Sequence, residues 1–587
     1  MEQIQALLIR VRPSVHFSIE PAEDEQLGLL YIATYCRSKG YLVSVLDEPT
    51  ITLSIVEEAL NKSDADVIGF YCDHENAMTL MSMINSLKTR HPQKLIVVGG
   101  PQVSAEPWDE RMLTSCPADI TVRGEGEFTF LEILNWKFKE KGTLKTIQGI
   151  SFISDDGTIF RTPSRGNKID LDVYPIPDRN LNYYGKTPNG SENILTSRGC
   201  PFRCAFCFEG RDLGCRKRSV SSILDEVEML LRDRDMHYLA ILDDVFTLSA
   251  SRVKEVCEGF KRLQDKYHRF AWFCEGRAEI LRRNPEAIHI MKDAGLVRLQ
   301  IGVETGSQKV LDAYGKGITL DDVRECVDIC YESDLLSVVG NFIIGGAHES
   351  EQTLKESIDF ACELMDRAPG CYDFNTTIYT PYPGTRMYRD PATYGMRIID
   401  GDCVTGPGDN YAFVETEELN KWQILNARHV FMEAVEAHAL SLLPQVSEER
   451  RKRHFHTFYT IRMSTIWVQL MSAQSNLYNY YGLQVSGGKK TVPEVPDENI
   501  ESYKPVRTIP IGGSSDGLLV ASYTNPPIRF NKLGSIIYEY CYGKLTVGEI
   551  VDRLGSELDS KRDTVRDYVV ETLRQLDERK LVLLSEV

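Results

Sequence analysis

The chain has 587 residues, a net charge of −18 and 42% hydrophobic residues. That length suits roughly three or four globular domains. The acidic balance argues against broad nucleic-acid binding while leaving room for a local basic patch, and the longest apolar runs, such as residues 95–98, are far too short for a membrane span. The first turns of the chain carry Arg10 and Arg12 without a signal-type apolar core. Fifteen cysteines show no disulfide-like pattern, so they read as reduced thiols of a cytoplasmic protein.

Residues 1–140 alternate apolar strand-like runs (4–10, 41–46, 67–71, 94–98, 120–122) with helical stretches (28–39, 55–61, 75–90). Alternation of this kind predicts a doubly wound parallel sheet, which binds ligands beyond the carboxyl ends of its strands. Glycines gather at two such ends, in Gly99-Gly100-Pro101 and in Gly124-Glu125-Gly126-Glu127. Glycine there lets a bulky ligand approach the backbone, although ordinary turn glycines read the same way. Tyr71, Cys72 and His74 follow a strand and can line a ligand face or simply be buried loop residues. Residues 141–190 are rich in Gly, Pro, Asn and Asp and read as a hairpin plus linker.

Residues 191–395 alternate strands and helices again, as a partial (β/α)6 barrel would. Cys200, Cys204 and Cys207 lie near its start with the spacing C-x3-C-x2-C. Three thiolates on one loop can hold three irons of a 4Fe–4S cubane and leave the fourth open to a small molecule. A zinc site wants four ligands in paired motifs, and Cys215 brings no partner pair. In a barrel the chemistry collects at the C-terminal strand ends. Asp243-Asp244, Glu275 with Arg277, Glu304 and Gly345-Gly346 all fall there. Carboxylates can bind an ammonium group or ribose hydroxyls and an arginine can bind a carboxylate, but salt bridges at the barrel mouth fit as well.

Residues 396–490 read as a helical region, with Leu419, Trp422 and Leu425 at three-residue spacing and Arg450-Arg451-Lys452-Arg453 as a solvated face or, less simply, a basic substrate patch. Residues 507–587 hold two strands (518–523 and 528–531) and three helices (535–541, 547–554 and 564–576), a small winged-helix-like α+β domain. DNA binding is one reading of such a fold, and a purely structural appendage is another.

The cysteine spacing, with Phe206 before the last cysteine, resembles the radical S-adenosylmethionine (SAM) superfamily. So do Leu242–Thr247, Gly302–Thr305 with Lys316-Gly317, Gly340–Gly345 and Tyr382–Thr385. The resemblance implies that Cys200, Cys204 and Cys207 hold a 4Fe–4S cluster whose open iron is chelated by SAM, and that reductive cleavage gives a 5′-deoxyadenosyl radical. It places Phe206, Asp243, Asp244, Arg277, Glu304 and Gly345 at SAM, with Asp243-Asp244 standing where the family has Gly-Gly-Glu. The segments Pro21–Ala33, Val97–Gln102 and Arg123–Glu127 resemble the cobalamin-binding domain that precedes many radical SAM domains. They imply cobalamin contacts at Leu27, Gly28, Tyr71, Cys72, Gly99, Gly100, Pro101, Gly124, Glu125 and Gly126. The Asp-x-His-x-x-Gly motif that ligates cobalt from below is absent, since Ser14 and Ile19 flank His16 at the critical positions. The stretch Ile528–Gly534, with Gly543–Val547 and the later leucines, is similar to the PqqD-like peptide-recognition element. In that family a precursor peptide's leader adds as a strand at a sheet edge, which implies contacts at Ile528 and Phe530.

The expectation is a cobalamin-dependent radical SAM enzyme that modifies a ribosomally made precursor peptide, most simply by C-methylation of an unactivated carbon with two SAM molecules. Ring formation, crosslinking or skeletal rearrangement is the alternative enzymatic reading, and a non-catalytic cobalamin- and peptide-binding protein is the non-enzymatic one. An external one-electron reductant such as flavodoxin or ferredoxin is implied. Tyr379, Tyr382 and Cys371 can meet a substrate radical or pack in the core.

Overall fold

The computed structural model describes residues 4–11, 26–47, 51–166, 169–183, 190–208, 214–401, 411–460, 465–473, 489–490, 495–507, 514–515, 518–521, 528–529, 531–541, 545–558, 560–578 and 581–585. Two compact units emerge. One holds the described residues up to Arg367 together with Phe374–Val435, and the other holds Ala368–Asp373 and the described residues from Glu436 onward.

The first unit opens with strands β1 (Ala6–Arg10), β2 (Val43–Leu46), β3 (Val67–Tyr71), β4 (Leu95–Gly99) and β5 (Ile120–Val122). Helices α1 (Leu27–Ser38), α2 (Leu53–Ser63), α3 (Ala77–Arg90) and α4 (Trp108–Thr114) connect them, and α5 (Glu127–Lys139) follows. The strand order β2-β1-β3-β4-β5 is all parallel and reverses direction at β1, the doubly wound pattern the alternation predicts. Alternate residues of β1 serve opposite faces: Leu7 and Ile9 join a core with α2, α3 and α4, while Ala6 and Leu8 join one with α1 and α5. Thr52 caps α2 by accepting from the Ile55 N–H. The predicted hairpin is β6 (Ile150–Ile153) and β7 (Ile159–Arg161), and it extends this sheet antiparallel at the β5 edge.

The barrel strands are β8 (Ser191–Ile194), β11 (Tyr238–Ile241), β12 (Ala271–Gly276), β13 (Leu296–Glu304), β14 (Ser337–Ile344) and β15 (Tyr372–Ile378), side by side in chain order. Short strands β9 (Ser197–Arg198) and β10 (Arg216–Lys217) pair antiparallel and clip the base of the loop that carries the three cysteines. Between the strands run α6 (Val220–Arg234), α7 (Ala250–Lys266), α8 (Ala278–Arg283), α9 (Pro285–Asp293), α10 (Gln308–Tyr314), α11 (Leu320–Glu332) and α12 (Glu351–Arg367). Their starts are written in the sequence: Ser219 caps α6, a Thr319–Asp322 capping box opens α11, and Pro285 begins α9.

The helix Lys421–Leu442 follows the barrel, with Trp422 68% exposed. In the second unit the basic run lies on the helix Glu448–Thr460. It is not simply solvated: Arg450 is buried and donates to the Gly370 carbonyl, and Arg451 donates to the carbonyls of Leu443 and Val446. Near the C-terminus, strands Ser514–Ser515, Leu518–Ala521 and Ile528–Arg529 form one sheet, followed by helices Lys532–Tyr540, Val547–Leu558 and Arg562–Glu578. A strand not anticipated, Val582–Ser585, pairs with Lys504–Arg507 and Lys489–Lys490. One core joins these helices to Val495 and Ile500, upstream of the expected start at 507. No described helix is long and apolar enough to cross a membrane.

Candidate active site

The cysteine loop hangs beyond the C-terminal end of β8. Cys200, Cys204 and Cys207 are partly exposed and unbridged. Three thiols on one short loop, without a second pair of ligands beside them, form the donor set of an iron–sulfur cluster with one open iron rather than of a four-ligand zinc site. The backbone is held from several sides. The Cys207 N–H donates to the Cys204 carbonyl, the Ala205 N–H to Tyr314 O at 2.7 Å, and the Met387 N–H to Ala205 O. Phe206 packs its ring edge-on against Tyr314 at 5.0 Å.

Asp243 braces the start of the loop. Its carboxylate accepts from the backbone N–H and hydroxyl groups of both Thr196 and Ser197, which occupies both oxygens. Burial pushes its pKa up, against the pull of those four donors. Asp244 accepts from the Gly199 N–H at 3.1 Å; partial desolvation of its carboxyl and the neighbouring Asp243 raise its pKa as well.

Arg277 stacks on Phe202 at 3.7 Å and points one nitrogen at Cys204 Sγ, 3.9 Å away. Its other nitrogens donate to Glu279 and to the Lys316 carbonyl, each at 2.6 Å. The Lys316 ammonium pairs with Glu304 and lies 5.9 Å from the centre of the Phe206 ring. Glu304 sits at φ 67, after a register shift in β13 that turns the strand end toward this pair. Gly302 makes the pair possible, because a Cβ there would lie 2.2 Å from Glu304 Oε1. Gly345, at φ 79, donates its N–H to the buried Glu349. Lys316 thus links Arg277, Glu304 and the Phe206 ring, while Asp243, Asp244 and Gly345 stand at the same C-terminal strand ends with partners of their own.

A second feature lies in the N-terminal sheet. A cavity of about 220 Å³ opens along β1, β3, β4 and β5 beneath α1 and α5. Gly28, Tyr71, Gly99, Gly100, Gly124, Glu125 and Gly126 line it, as expected residues. Leu27, Cys72 and Pro101 are not among its walls. Leu27 packs with Tyr31, Tyr35 and Tyr174. Cys72 is fully buried, which pushes its thiol pKa well up. Leu8, Ile32, Gly69, Val97, Phe130 and Arg198 also line the cavity and were not singled out in the sequence. The strand residues among them follow from period-two alternation, but Arg198 carries no local signal beyond its place two residues before Cys200. The lining is mostly apolar, and space is kept by small residues: a Cβ on Gly126 would lie 2.6 Å from Ile32. Apolar walls around a space of this size suit one flat or apolar part of an organic ligand, with the rest of a larger one lying outside.

Arg198 joins the two features. It donates to Glu127 at 2.7 Å, pairs with Glu125 at 3.4 Å, and lies over the rings of Tyr31 and Tyr174. Arg216, on the partner strand of the clip, also pairs with Glu125. The acidic turn that closes the cavity is thus bolted to the strands that close the cysteine loop. His74, its pKa lowered by burial, meets Tyr382 ring to ring at 5.0 Å. Tyr379 and Cys371 are buried. Ile528 lies on the strand Ile528–Arg529, whereas Phe530, His16 and Pro21 fall outside the described residues.

Three family models match this chain: the radical SAM superfamily over residues 194–361, the B12 binding domain over 23–134, and coenzyme PQQ synthesis protein D (PqqD) over 523–582. The uncharacterized methyltransferase PH0819 of Pyrococcus horikoshii is 31% identical over 373 residues, which are 62% of this chain and 77% of the relative. The radical S-adenosylmethionine methyltransferase TsrM of Kitasatospora setae, solved with cobalamin and a 4Fe-4S cluster, aligns with a TM-score of 0.56 at 15% identity and covers 77% of this chain and 90% of TsrM. The cobalamin-dependent S-adenosylmethionine radical enzyme OxsB, solved with aqua-cobalamin, aligns at 0.59 and 17% identity over 98% of this chain and 84% of OxsB. At these identities the likeness to the solved structures is one of fold.

Proposed function

This chain belongs to the cobalamin-binding branch of the radical SAM superfamily, and from that premise we propose that it methylates an unactivated carbon of a ribosomally made precursor peptide, consuming two SAM molecules per methyl. The observation that carries the reading is the order of parts in one chain: a B12-binding domain, a radical SAM barrel and a PqqD-like module. A relative named as a methyltransferase favours methyl transfer, and the PqqD-like module favours a peptide. When bound, the cluster supplies single electrons and the cobalamin supplies methyl-transfer chemistry.

The protein's own work is holding and aligning. Cys200, Cys204 and Cys207 would hold three irons of the cluster. Asp244, Glu304, Arg277 and Gly345, with the Phe206 ring, surround the place for SAM, whose charged ends need a carboxylate and a cation. Asp243 acts one step back, because its oxygens are already committed to Thr196 and Ser197. The cavity lined by Gly28, Tyr71, Gly99, Gly100, Gly124 and Gly126 would take cobalamin, with no histidine in an Asp-x-His-x-x-Gly context. Arg198, touching both the cavity and the clip of the cysteine loop, would hold the two sites in one register, which is the condition for effective transfer between bound groups. A leader peptide would add as a strand beside Ile528–Arg529, with Ile528 and Phe530 as its assigned contacts, and an external flavodoxin- or ferredoxin-type protein in the cytoplasm would supply electrons.

The test is anaerobic incubation of the reconstituted protein with a leader-bearing precursor peptide, read by mass spectrometry. A gain of CH2 units, with one S-adenosylhomocysteine and one 5′-deoxyadenosine per methyl, is expected. Loss of two hydrogens without added carbon would replace methylation by ring formation or crosslinking. Absence of both SAM products would remove the enzyme.

A further inference from the structure

Asp235, His237 and His268 meet at the end of the barrel away from the cysteine loop, where β11 and β12 begin. Asp235 terminates α6 at φ 49, His237 immediately precedes β11, and His268 leads into β12. One ligand atom from each lies within 4.8 Å of the other two, and among the described residues this is the one group of three or more His, Cys, Asp or Glu so gathered. His237 Nε2 is 3.3 Å from Asp235 Oδ2. That is long for a hydrogen bond, yet it is close to the edge of a tetrahedron built on metal–ligand bonds of about 2.0–2.1 Å.

His268 supplies an independent sign. Its Nε2 lies 2.8 Å from the Met236 carbonyl oxygen. A carbonyl only accepts, so Nε2 carries the proton and Nδ1 keeps the lone pair of the neutral ring. Histidines that ligate metals almost always donate their second ring N–H in this way, to a carbonyl or carboxylate that fixes the tautomer. The two imidazole rings face each other at 4.7 Å with 39° between their planes. The backbone beneath them is anchored: His237 N–H donates to Gly190 O at 2.7 Å, and His237 O accepts from Ala271 N–H at 2.9 Å.

We propose that Asp235, His237 and His268 form a binding site for a divalent transition-metal ion of the zinc class, with water completing the tetrahedron. Two imidazoles and one carboxylate favour such an ion over calcium or magnesium, which prefer all-oxygen sets. The site lies at the N-terminal ends of the strands, the end of a barrel that serves stability rather than chemistry. It therefore acts as a clip between the α6–β11 turn and the α7–β12 loop, separate from the SAM reaction.

Full-length protein with its cluster reconstituted would be titrated with zinc chloride by calorimetry, alongside His237→Ala, His268→Ala and Asp235→Asn. Asp235→Asn changes a side chain that is 82% exposed, at a left-handed backbone position that Asn also adopts, so it tests the site with the fold kept. The expected result is one zinc equivalent fewer in each histidine variant and weaker binding in Asp235→Asn. Zinc should raise the thermal midpoint of the parent protein and not that of the histidine variants, with SAM cleavage equal in all. Equal zinc stoichiometry in parent and variants, or a thermal midpoint of the parent that ignores zinc, would overturn the site.

Discussion

Glu349 is a buried carboxyl held in the turn that ends β14. It is 3% exposed and accepts from the N–H groups of Gly345 and Gly346, yet burial outweighs those donors and pushes its pKa from 4.5 up to about 7. The folded carboxyl holds its proton more tightly than the unfolded one. Its contribution to stability is therefore full below the unfolded value and is lost as pH rises through about 7, a change on the order of 3 kcal/mol. Glu349→Gln keeps an oxygen for the glycine N–H groups and cannot ionise. Its unfolding midpoint should match the parent's near pH 4 and exceed it at pH 8; parallel curves for the two proteins across that range would show that the carboxyl does not titrate there. The turn has no slack to relieve the burial, since a Cβ on Gly346 would lie 1.8 Å from the Tyr314 hydroxyl. At this scale the sequence was legible where spacing carries the chemistry, as with Cys200, Cys204 and Cys207. It was opaque where the role depends on contacts far along the chain. Asp243 reads as a ligand-binding carboxylate by position, and only the structure shows its oxygens filled by Thr196 and Ser197, 47 and 46 residues away.

The ends of β3 and β4 do different work from their neighbours. Gly100 is required by the backbone: it sits at φ 115, and a Cβ there would come within 2.4 Å of the Cys72 carbonyl oxygen. Gly99 is not so constrained, because a Cβ would meet Val122 at an ordinary 3.6 Å. Gly99 lines the cavity, so Gly99→Leu tests the cavity without straining the strand. Overpacking of about 1–3 kcal/mol should weaken hydroxocobalamin binding at least about fivefold. Absorbance titration would measure it, with the cofactor-free thermal midpoint close to the parent's; unchanged affinity would place cobalamin elsewhere. The strands and the first three helices of this domain are readable because short continuous apolar runs alternate with longer stretches of helix-forming residues. Helix α5 was not, because Phe128, Phe130, Leu131, Ile133 and Leu134 crowd together and leave no regular polar face. Its loss from the reading hid one wall of the cavity, including Phe130.

At the scale of the whole chain, the composition and order of segments expose the modules, while the pairing of distant strands sets where each one ends. The sequence suggests a C-terminal module beginning at 507, after a stretch rich in Gly, Lys and Pro. The pairing of Val582–Ser585 with Lys504–Arg507 and Lys489–Lys490 carries the module further upstream, and period and composition hold no trace of such a long-range ladder. Val495 and Ile500 lie in the same core as Leu573 and Leu584. Glu501 pairs with Arg562 and Arg566, and Asp497 with Arg574. A cut at 507 would strand these residues, exposing Val495 and Ile500 and leaving Glu501 without its arginines. A cut before 489 removes the ladder, the core and the ion pairs together. We expect the protein lacking 489–587 to stay monodisperse and to cleave SAM at the parent rate without peptide, while its affinity for leader-bearing peptide falls at least about tenfold, the loss of one or more hot-spot contacts. The protein lacking only 507–587 should aggregate. Fluorescence anisotropy with a labelled leader peptide measures the affinity. An unchanged value after the longer deletion would move peptide recognition away from the PqqD-like module and back to the barrel.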